Sequence, residues 1–256
     1  MIDPAAHVHP DARLAPDVEV GPYAVIGPQV QIGAGSVVGP HAVITGNTRI
    51  GRNNRIFQFA SIGEIPQDKK YHADDDTRLE IGDGNTIREF CTINTGTVGG
   101  GGLTRLGDDN WLMAYVHIAH DCLVGSHTIF ANSSSLAGHV TVEDHVILGG
   151  FSLVHQFCAL GAHSFLAVSS VVLKDVPPFV MAEGNSARPR GVNTEGLRRR
   201  GFIGDDITAI RNAYKTLYRN GLRLNEALAV LDGAASCSHV ADMAAFVRRS
   251  RRGIIR

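Results

Sequence analysis

Written in sixes, residues 118–150 read IAHDCL VGSHTI FANSSS LAGHVT VEDHVI LGG, and every block is headed by an apolar residue. The register extends in both directions. It runs from Ile2 through Val8, Leu14, Val20, Ile26, Ile32, Val38, Ile44, Ile50 and Ile56 to Ile62, and returns at Ile81, Ile87 and Ile93. After the glycine-rich Gly99–Gly102 it resumes at Leu106 and continues through Leu112, Ile118 and Val124 to Val172. Four positions after most of these heads stands a small or β-branched residue, as at Ala24, Ser36, Cys122, Ser134, Ser152 and Ser170. A helix repeats at about 3.6 residues and a half-buried strand at about 2, so neither makes this pattern. A hexapeptide repeat marks a parallel β-helix. The aliphatic head fills an interior corner of a prism, the small residue packs beside it, and Gly, Asn or Asp between them is expected to make the bends. With 26 positions in register, chance is negligible.

If three hexads close one coil, residues 18 apart in this chain stack on neighbouring coils, about 4.8 Å along the axis as in paired strands. Sequence spacing then gives spatial position. The register predicts a prism over residues 1–187 with loop insertions near 63–80 and 97–105. After Pro177, Pro178 and the stretch to Gly191 the period of six ends, and residues 188–256 read as a small helical domain. There, Asp205 or Asp206 is placed to cap a helix with apolar spacing Ile207, Ile210, Tyr214, Leu217 and Tyr218. Shorter helical patterns follow near Asn225–Leu231 and Ser238–Arg249. This domain is expected to cover the end of the prism and protect its open strand edges.

The chain has 256 residues, 44% of them hydrophobic, and a formal charge of -1. No apolar run approaches the roughly 20 residues that span a bilayer, and the first residues form repeats rather than a signal peptide, so a cytoplasmic protein without membrane insertion is expected. Cys91, Cys122 and Cys158 occupy small interior positions, with Cys122 and Cys158 two coils apart. That separation of roughly 10 Å is too long for a disulfide, and these thiols read as buried, reduced and structural. Charge is uneven: residues 1–187 hold 10 Lys and Arg against 19 Asp and Glu, and residues 188–256 hold 14 against 6. The basic segment suggests an anionic partner.

The chemistry lies in the histidines. His117 and His120 belong to HIAHD, His139 to AGHV and His155 to VHQF, in hexads that open at Ile118, Leu136 and Val154, which are 18 apart. His120, His139 and His155 are therefore expected on one edge of the prism on successive coils. Two chemistries fit. One is a general base whose tautomer is fixed by a carboxylate such as Asp121. The other is a zinc site, with three imidazoles and an open position for a metal-bound hydroxide.

The sequences HIAHDC (117–122), LAGHV (136–140), VHQFC (154–158), DVPPF (175–179) and GVNTEGLRRRGF (191–202), with QFASIGE (58–64) before PQDKKY (66–71), resemble the UDP-N-acetylglucosamine O-acyltransferase family over essentially the whole chain. The resemblance implies a mainly β fold: a left-handed parallel β-helix with a C-terminal α-helical domain, assembled as a homotrimer with sites between subunits. It implies transfer of a 3-hydroxyacyl chain from acyl carrier protein to the 3-hydroxyl of UDP-N-acetylglucosamine, the first step of lipid A biosynthesis. His120 would be the base, Asp121 its orienting partner, and the Gly138 N–H the oxyanion donor. His117, His139, His155 and Gln156 would hold sugar and acyl groups, Asp68 and Lys70 the sugar and phosphate, and Asn193, Glu195, Arg199 and Arg200 the nucleotide. No cofactor, metal or nucleic acid is implied. The acidic carrier protein would explain the basic segment, with Arg211, Lys215 and Arg219 steering the encounter.

Two departures from the family pattern bear on substrate choice. Where long-chain members have glycine after GAH, this chain has Ala167 and Val168, which predicts a shorter acyl group. Asn94-Thr95 stands where many members have His or Asn followed by Arg, which leaves open how the neighbouring loop is anchored and whether the acceptor carries a 3-hydroxyl or a 3-amino group. A zinc-dependent hydratase of the carbonic anhydrase type and a catalytically silent sugar-nucleotide scaffold are the rivals from other classes.

Overall fold

In the computed structural model, which describes residues 1–72, 74–233 and 237–256, the hexads wind into a three-sided prism. The first face stacks nine short strands from His7–Val8 to Val171–Val172, and the second stacks eight from Arg13–Leu14 to Ala159–Leu160. The third runs from Glu19–Val20 through Phe165–Leu166 to Val180–Glu183 and Arg188–Val192. All pairs are parallel except that last one. Register follows the 18-residue rule: His117 pairs with Ser135, Ser135 with Leu153, and Leu153 with Val171. The heads Ile118, Leu136, Val154 and Val172 are buried one above another, with Cys122, Ser134, Ser152 and Ser170 beside them. Burial of each aliphatic head contributes roughly 1.5–3 kcal/mol, which offsets the ordering of very short strands.

The bends differ from expectation. In most of them the second residue is in the left-handed region, and it is mostly His, Phe, Tyr or Ser rather than Gly, Asn or Asp, as at Tyr115, Phe151, His139, Phe157, His145 and His163. Stacking between coils supplies the compensation. Phe90 on Tyr115 and His139 on Phe157 are parallel, with centroids 4.9 and 4.3 Å apart. Such pairs contribute about 0.5–1.5 kcal/mol, comparable with the roughly 1–2 kcal/mol cost of the left-handed backbone.

Both insertions leave from the same edge, between the first and second faces. One lies between the strands Ser61–Glu64 and Arg78–Ile81, the other between Thr92–Asn94 and Leu103–Leu106. Asn94 anchors the first of them, its Nδ2 donating to the carbonyls of Glu64 (3.3 Å) and Ile65 (3.0 Å).

The expected domain boundary at 187/188 falls at the turn before the strand Arg188–Val192, which still pairs with Val180–Glu183. The helices begin later: α1 (Thr194–Arg199), α2 (Gly204–Tyr218), α3 (Leu224–Gly233) and α4 (Ser238–Arg249). Neither Asp205 nor Asp206 caps α2. Ile203 holds the N-cap position without a side-chain bond, and the two acids lie in the first turn, where they face the positive end of the helix dipole. Ile207, Ile210, Tyr214 and Leu217 are buried as their spacing required. The chain then returns to the prism, with Asp175 N–H donating to Gly253 and Ile255 N–H to Asp175, both at 2.9 Å. No helix is long and apolar enough to cross a membrane among the described residues. Burial pushes the thiols of Cys91, Cys122 and Cys158 up to about 11, 12 and 11, which keeps them protonated.

Candidate active site

His120 and Asp121 form one bend of the edge that carries both insertions, Gly138 and His139 form the next, and Gln156 and Phe157 the one after. The left-handed backbone at Asp121 (φ 59) turns its carboxylate back beneath the ring of its own neighbour. His120 Nδ1 lies 2.8 Å from Asp121 Oδ2. The carboxylate is nearly fully enclosed, with 1% of its side chain exposed. Its other partners come from the second insertion: Thr97 N–H donates to Oδ1 (2.9 Å) and the Thr97 hydroxyl to Oδ2 (2.6 Å). The same hydroxyl accepts from Gly100 N–H at 3.2 Å. Both carboxylate oxygens thus act as acceptors, so Nδ1 of His120 must be the donor, and in the neutral ring Nε2 keeps its lone pair.

Glycine is required at two places around this group. A Cβ on Gly138 would stand 2.5 Å from Cε1 and 2.7 Å from Nε2 of His120, and one on Gly100 would meet the Asp121 carboxyl within 2.1–2.4 Å. The His120 ring therefore packs directly on the Gly138 backbone, whose N–H makes no hydrogen bond among the described residues. An imidazole with a free nitrogen and an unused amide donor lie side by side.

His139 crosses His120 edge-on at 5.2 Å, with Nε2 3.7 Å from Asp121 Oδ2. Burial holds its pKa below the ordinary imidazole value, against the opposing pull of Asp121. Burial does the same for His117, with repulsion from His120 adding to it, and His117 Nδ1 is 2.7 Å from the Thr92 hydroxyl. Asp68 and Lys70, from the first insertion, share a cleft of about 610 Å³ with Thr97, Gly100, His139 and Phe157.

His155 does not join His120 and His139. It stands one residue before the bend, its Nδ1 3.1 Å from the Gln156 carbonyl, and lines an apolar groove on the first face with His117, Leu136, Leu153, Val171 and Leu173. The expectation of three histidines on one edge fails because a shift of one residue rotates a side chain from corner to face. The donors that do converge are His120, Asp121 and His139, within 4.8 Å of one another. The His120–Asp121 pair is already closed by a hydrogen bond and both Asp121 oxygens are occupied, a poor fit to an open three-histidine zinc site.

Residues 175–255 match the model of the family described as Udp N-acetylglucosamine O-acyltransferase, Domain 2, and residues 11–46 and 104–138 match the bacterial transferase hexapeptide. The acyl-[acyl-carrier-protein]–UDP-N-acetylglucosamine O-acyltransferase of Thiobacillus denitrificans is 60% identical over 204 residues, 79% of each chain. The chain belongs to the UDP-N-acetylglucosamine O-acyltransferase family. Solved structures agree: LpxA from Acinetobacter baumannii superimposes with a TM-score of 0.97 at 47% identity, covering 100% of this chain and 99% of its own. The UDP-N-acetylglucosamine acyltransferase of Francisella novicida gives 0.98 at 44%, covering 100% and 94%. The prism is therefore a left-handed parallel β-helix with a C-terminal helical region, and the protein is an acyltransferase.

The remaining candidate residues of the acyltransferase lie away from His120. Asn193 caps α1, accepting from Gly196 N–H at 3.2 Å while its Nδ2 donates to the His163 carbonyl at 3.1 Å. Glu195 pairs with Arg199 at 3.1 Å. Burial lowers the pKa of Arg200, and its Nη1 is buried without a partner among the described residues. These four sit near the edge between the second and third faces. Val168, two-thirds exposed, and Ala167 belong to the third edge. Thr97 escaped the sequence reading. Its signal was available: both breaks in the register fall at the same point of the coil as His120-Asp121, so their loops had to stack on that edge.

Proposed function

We propose that this acyltransferase moves a 3-hydroxyacyl chain from acyl carrier protein to the 3-hydroxyl of UDP-N-acetylglucosamine, the first step of lipid A biosynthesis, as a cytoplasmic homotrimer. The observation that carries the reading is the His120 ring, held through Nδ1 by Asp121 at 2.8 Å with Nε2 against Gly138. Nε2 takes the proton of the sugar hydroxyl as its oxygen attacks the thioester carbonyl carbon. The oxyanion that forms is met by the Gly138 N–H, a donor worth about 3–4 kcal/mol in such sites. Asp121 stabilises the imidazolium. Collapse breaks the carbon–sulfur bond, and the thiolate leaves with the proton from His120, giving the 3-O-acyl sugar and the free carrier thiol.

The relative from Thiobacillus denitrificans is named for acyl-[acyl-carrier-protein] and UDP-N-acetylglucosamine. Asp68 and Lys70 would hold the sugar and its proximal phosphate. The apolar groove of about 420 Å³ beginning at His117 and His155 suits an acyl chain, and its far wall, Val171, lies on the coil that Val168 opens. Nucleotide contacts on Asn193, Glu195, Arg199 and Arg200 are on another edge, so one chain holds an incomplete site. A trimer with its sites between subunits would complete it.

The test is a mass-spectrometric transfer assay with carrier-protein thioesters of graded length, with and without EDTA, beside His120→Ala. A 3-O-acylated product, indifferent to EDTA and absent in the variant, supports the reading. Product only from the 3-amino sugar nucleotide would change the acceptor, and loss on chelation would return the zinc reading. Val168→Gly is expected to move the preferred chain longer, each added methylene being worth about 0.8 kcal/mol; an unmoved preference would remove Val168 as the stop.

A further inference from the structure

A second cleft, of about 320 Å³, reaches His139 and Phe157 from the side opposite the apolar groove. It lies between the second face and the end of α4, and its outer wall is Arg249, Arg251 and Arg252. Two carboxylates also line it, but both are occupied. Glu143 is paired with Arg249 and accepts from Ala162 N–H at 2.8 Å. Asp175 accepts from Ala159 N–H at 2.8 Å and from the Ser250 hydroxyl at 2.5 Å. No ion pair holds Arg251 or Arg252 among the described residues, and Arg252 lies against the Cys158 thiol. Arg251 and Arg252 therefore line, with no ion pair of their own, a cleft that opens on the candidate site.

The segment that carries them is fixed at both ends. Ser250 is tied to Asp175, Gly253 and Ile255 bracket the Asp175 backbone, and Ile254 and Ile255 are buried. Arg256 donates to the carbonyls of Leu217 and Leu222, both at 2.9 Å. Gly253 takes the left-handed φ of 69 that turns the chain back to the prism just after the arginines. Guanidinium on a fixed strap is preorganised for the fork geometry of a phosphate.

On the acyl-transfer reading, the loop cleft takes sugar and the apolar groove takes the acyl chain. One charged part of the substrates is left without a seat: the phosphodiester that joins the thioester-bearing pantetheine arm to its carrier protein. We propose that Arg251 and Arg252 form a phosphate subsite for that arm. The thioester would then be held from two sides of His139, with its acyl tail in the groove and its phosphate in the arginine cleft.

The experiment compares two small donors in the unmodified enzyme, Arg251→Ala and Arg252→Ala: an acyl-phosphopantetheine and the same acyl-pantetheine lacking phosphate. With the phosphorylated donor, kcat/KM is expected to fall about tenfold in each variant, as for a lost charge-assisted bond, with KM for the sugar nucleotide unmoved. With the dephosphorylated donor the variants should match the parent, which also shows that they are folded. Equal losses with both donors, or a loss expressed in KM for the sugar nucleotide, would overturn the subsite. So would a loss seen only with the whole carrier protein, because the arginines would then meet its surface. Transfer from the whole carrier protein but from neither small donor would also overturn the subsite, whereas absence of transfer from the carrier-protein thioester itself is a separate result that sinks the acyl-transfer reading and the subsite with it.

Discussion

Two edges of this prism carry histidines on successive coils, and only one of them has the geometry of a catalytic site. On the second edge, between the second and third faces, His127, His145 and His163 lie flat on one another, with centroids 4.8 and 4.6 Å apart. On the first, His120 and His139 meet edge-on at 5.2 Å over a shared carboxylate. The neighbours decide the difference. At the second edge the residues before the rings are Ser126, Asp144 and Ala162, and Asp144 is engaged by Ser126 N–H at 2.8 Å. At the first, Asp121 is held by an inserted loop and Gly138 leaves room for a ring. Only at the first edge is one imidazole nitrogen pinned by a buried carboxylate and the other left free beside a donor, the arrangement the proposed base requires.

The largest effect should separate the two edges outright. His120→Ala is expected to lower kcat by about 10²- to 10⁴-fold, the range of a positioned base, whereas His145→Phe, which keeps a ring in the stack, should leave kcat unchanged in the same transfer assay. Equal losses would mean that the edges are not functionally distinct. Next in size, Gly138→Ala puts a methyl 2.5 Å from His120 Cε1. Displacing the ring should lower kcat about 100-fold with only a small change in Tm; full activity would show that neither ring nor amide needs its present position.

Thr97→Val sharpens the comparison by removing the hydroxyl half of the loop's grip on Asp121 while keeping side-chain shape. About a tenfold fall in kcat is expected, the worth of a hydrogen bond to a charged group, with recovery in Thr97→Ser and a displaced acid limb in the pH profile. If valine behaves as wild type, the backbone N–H alone holds the carboxylate.

The smallest effect belongs to the second edge. His163 is pushed down to about 4 by burial first, then by His145, Arg200 and His239, with Asp144 opposing. Above its ordinary value of 6.5 the ring is neutral in both folded and unfolded chains, and its contribution is intact. As pH falls from there toward 4, only the unfolded chain takes up the proton, so stability is lost across that window. His163→Phe should flatten the fall of Tm over that window without touching kcat at neutral pH. Identical Tm profiles would show that His163 titrates normally.

Legibility in the sequence followed the physics of each feature. Repetition made the core readable: a head at every sixth position constrains the fold as a whole, so Ile118, Leu136 and Val154 were found with their stacking partners. Bends were less readable, because left-handed positions were expected to need Gly, Asn or Asp, and ring stacking between coils lets His139 and Phe157 serve instead. The cap of α2 was missed for a local reason, since acids in a first turn and an acid at the cap give nearly the same sequence.

Sequence alone determined the prism, its period of six, the helical segment after it, and the presence of His120, Asp121 and Gly138 at bends that stack if three hexads close a coil. Motifs in order also placed the chain within its family. Only the tertiary structure decided that His155 belongs to the groove and not to the edge, that Thr97 closes on Asp121, and that the nucleotide candidates stand on a different edge. The reason is one of scale. A repeat fixes position along the coil to the residue, but hydrogen bonds and ring contacts are set by the direction of single side chains and by loops that leave the repeat.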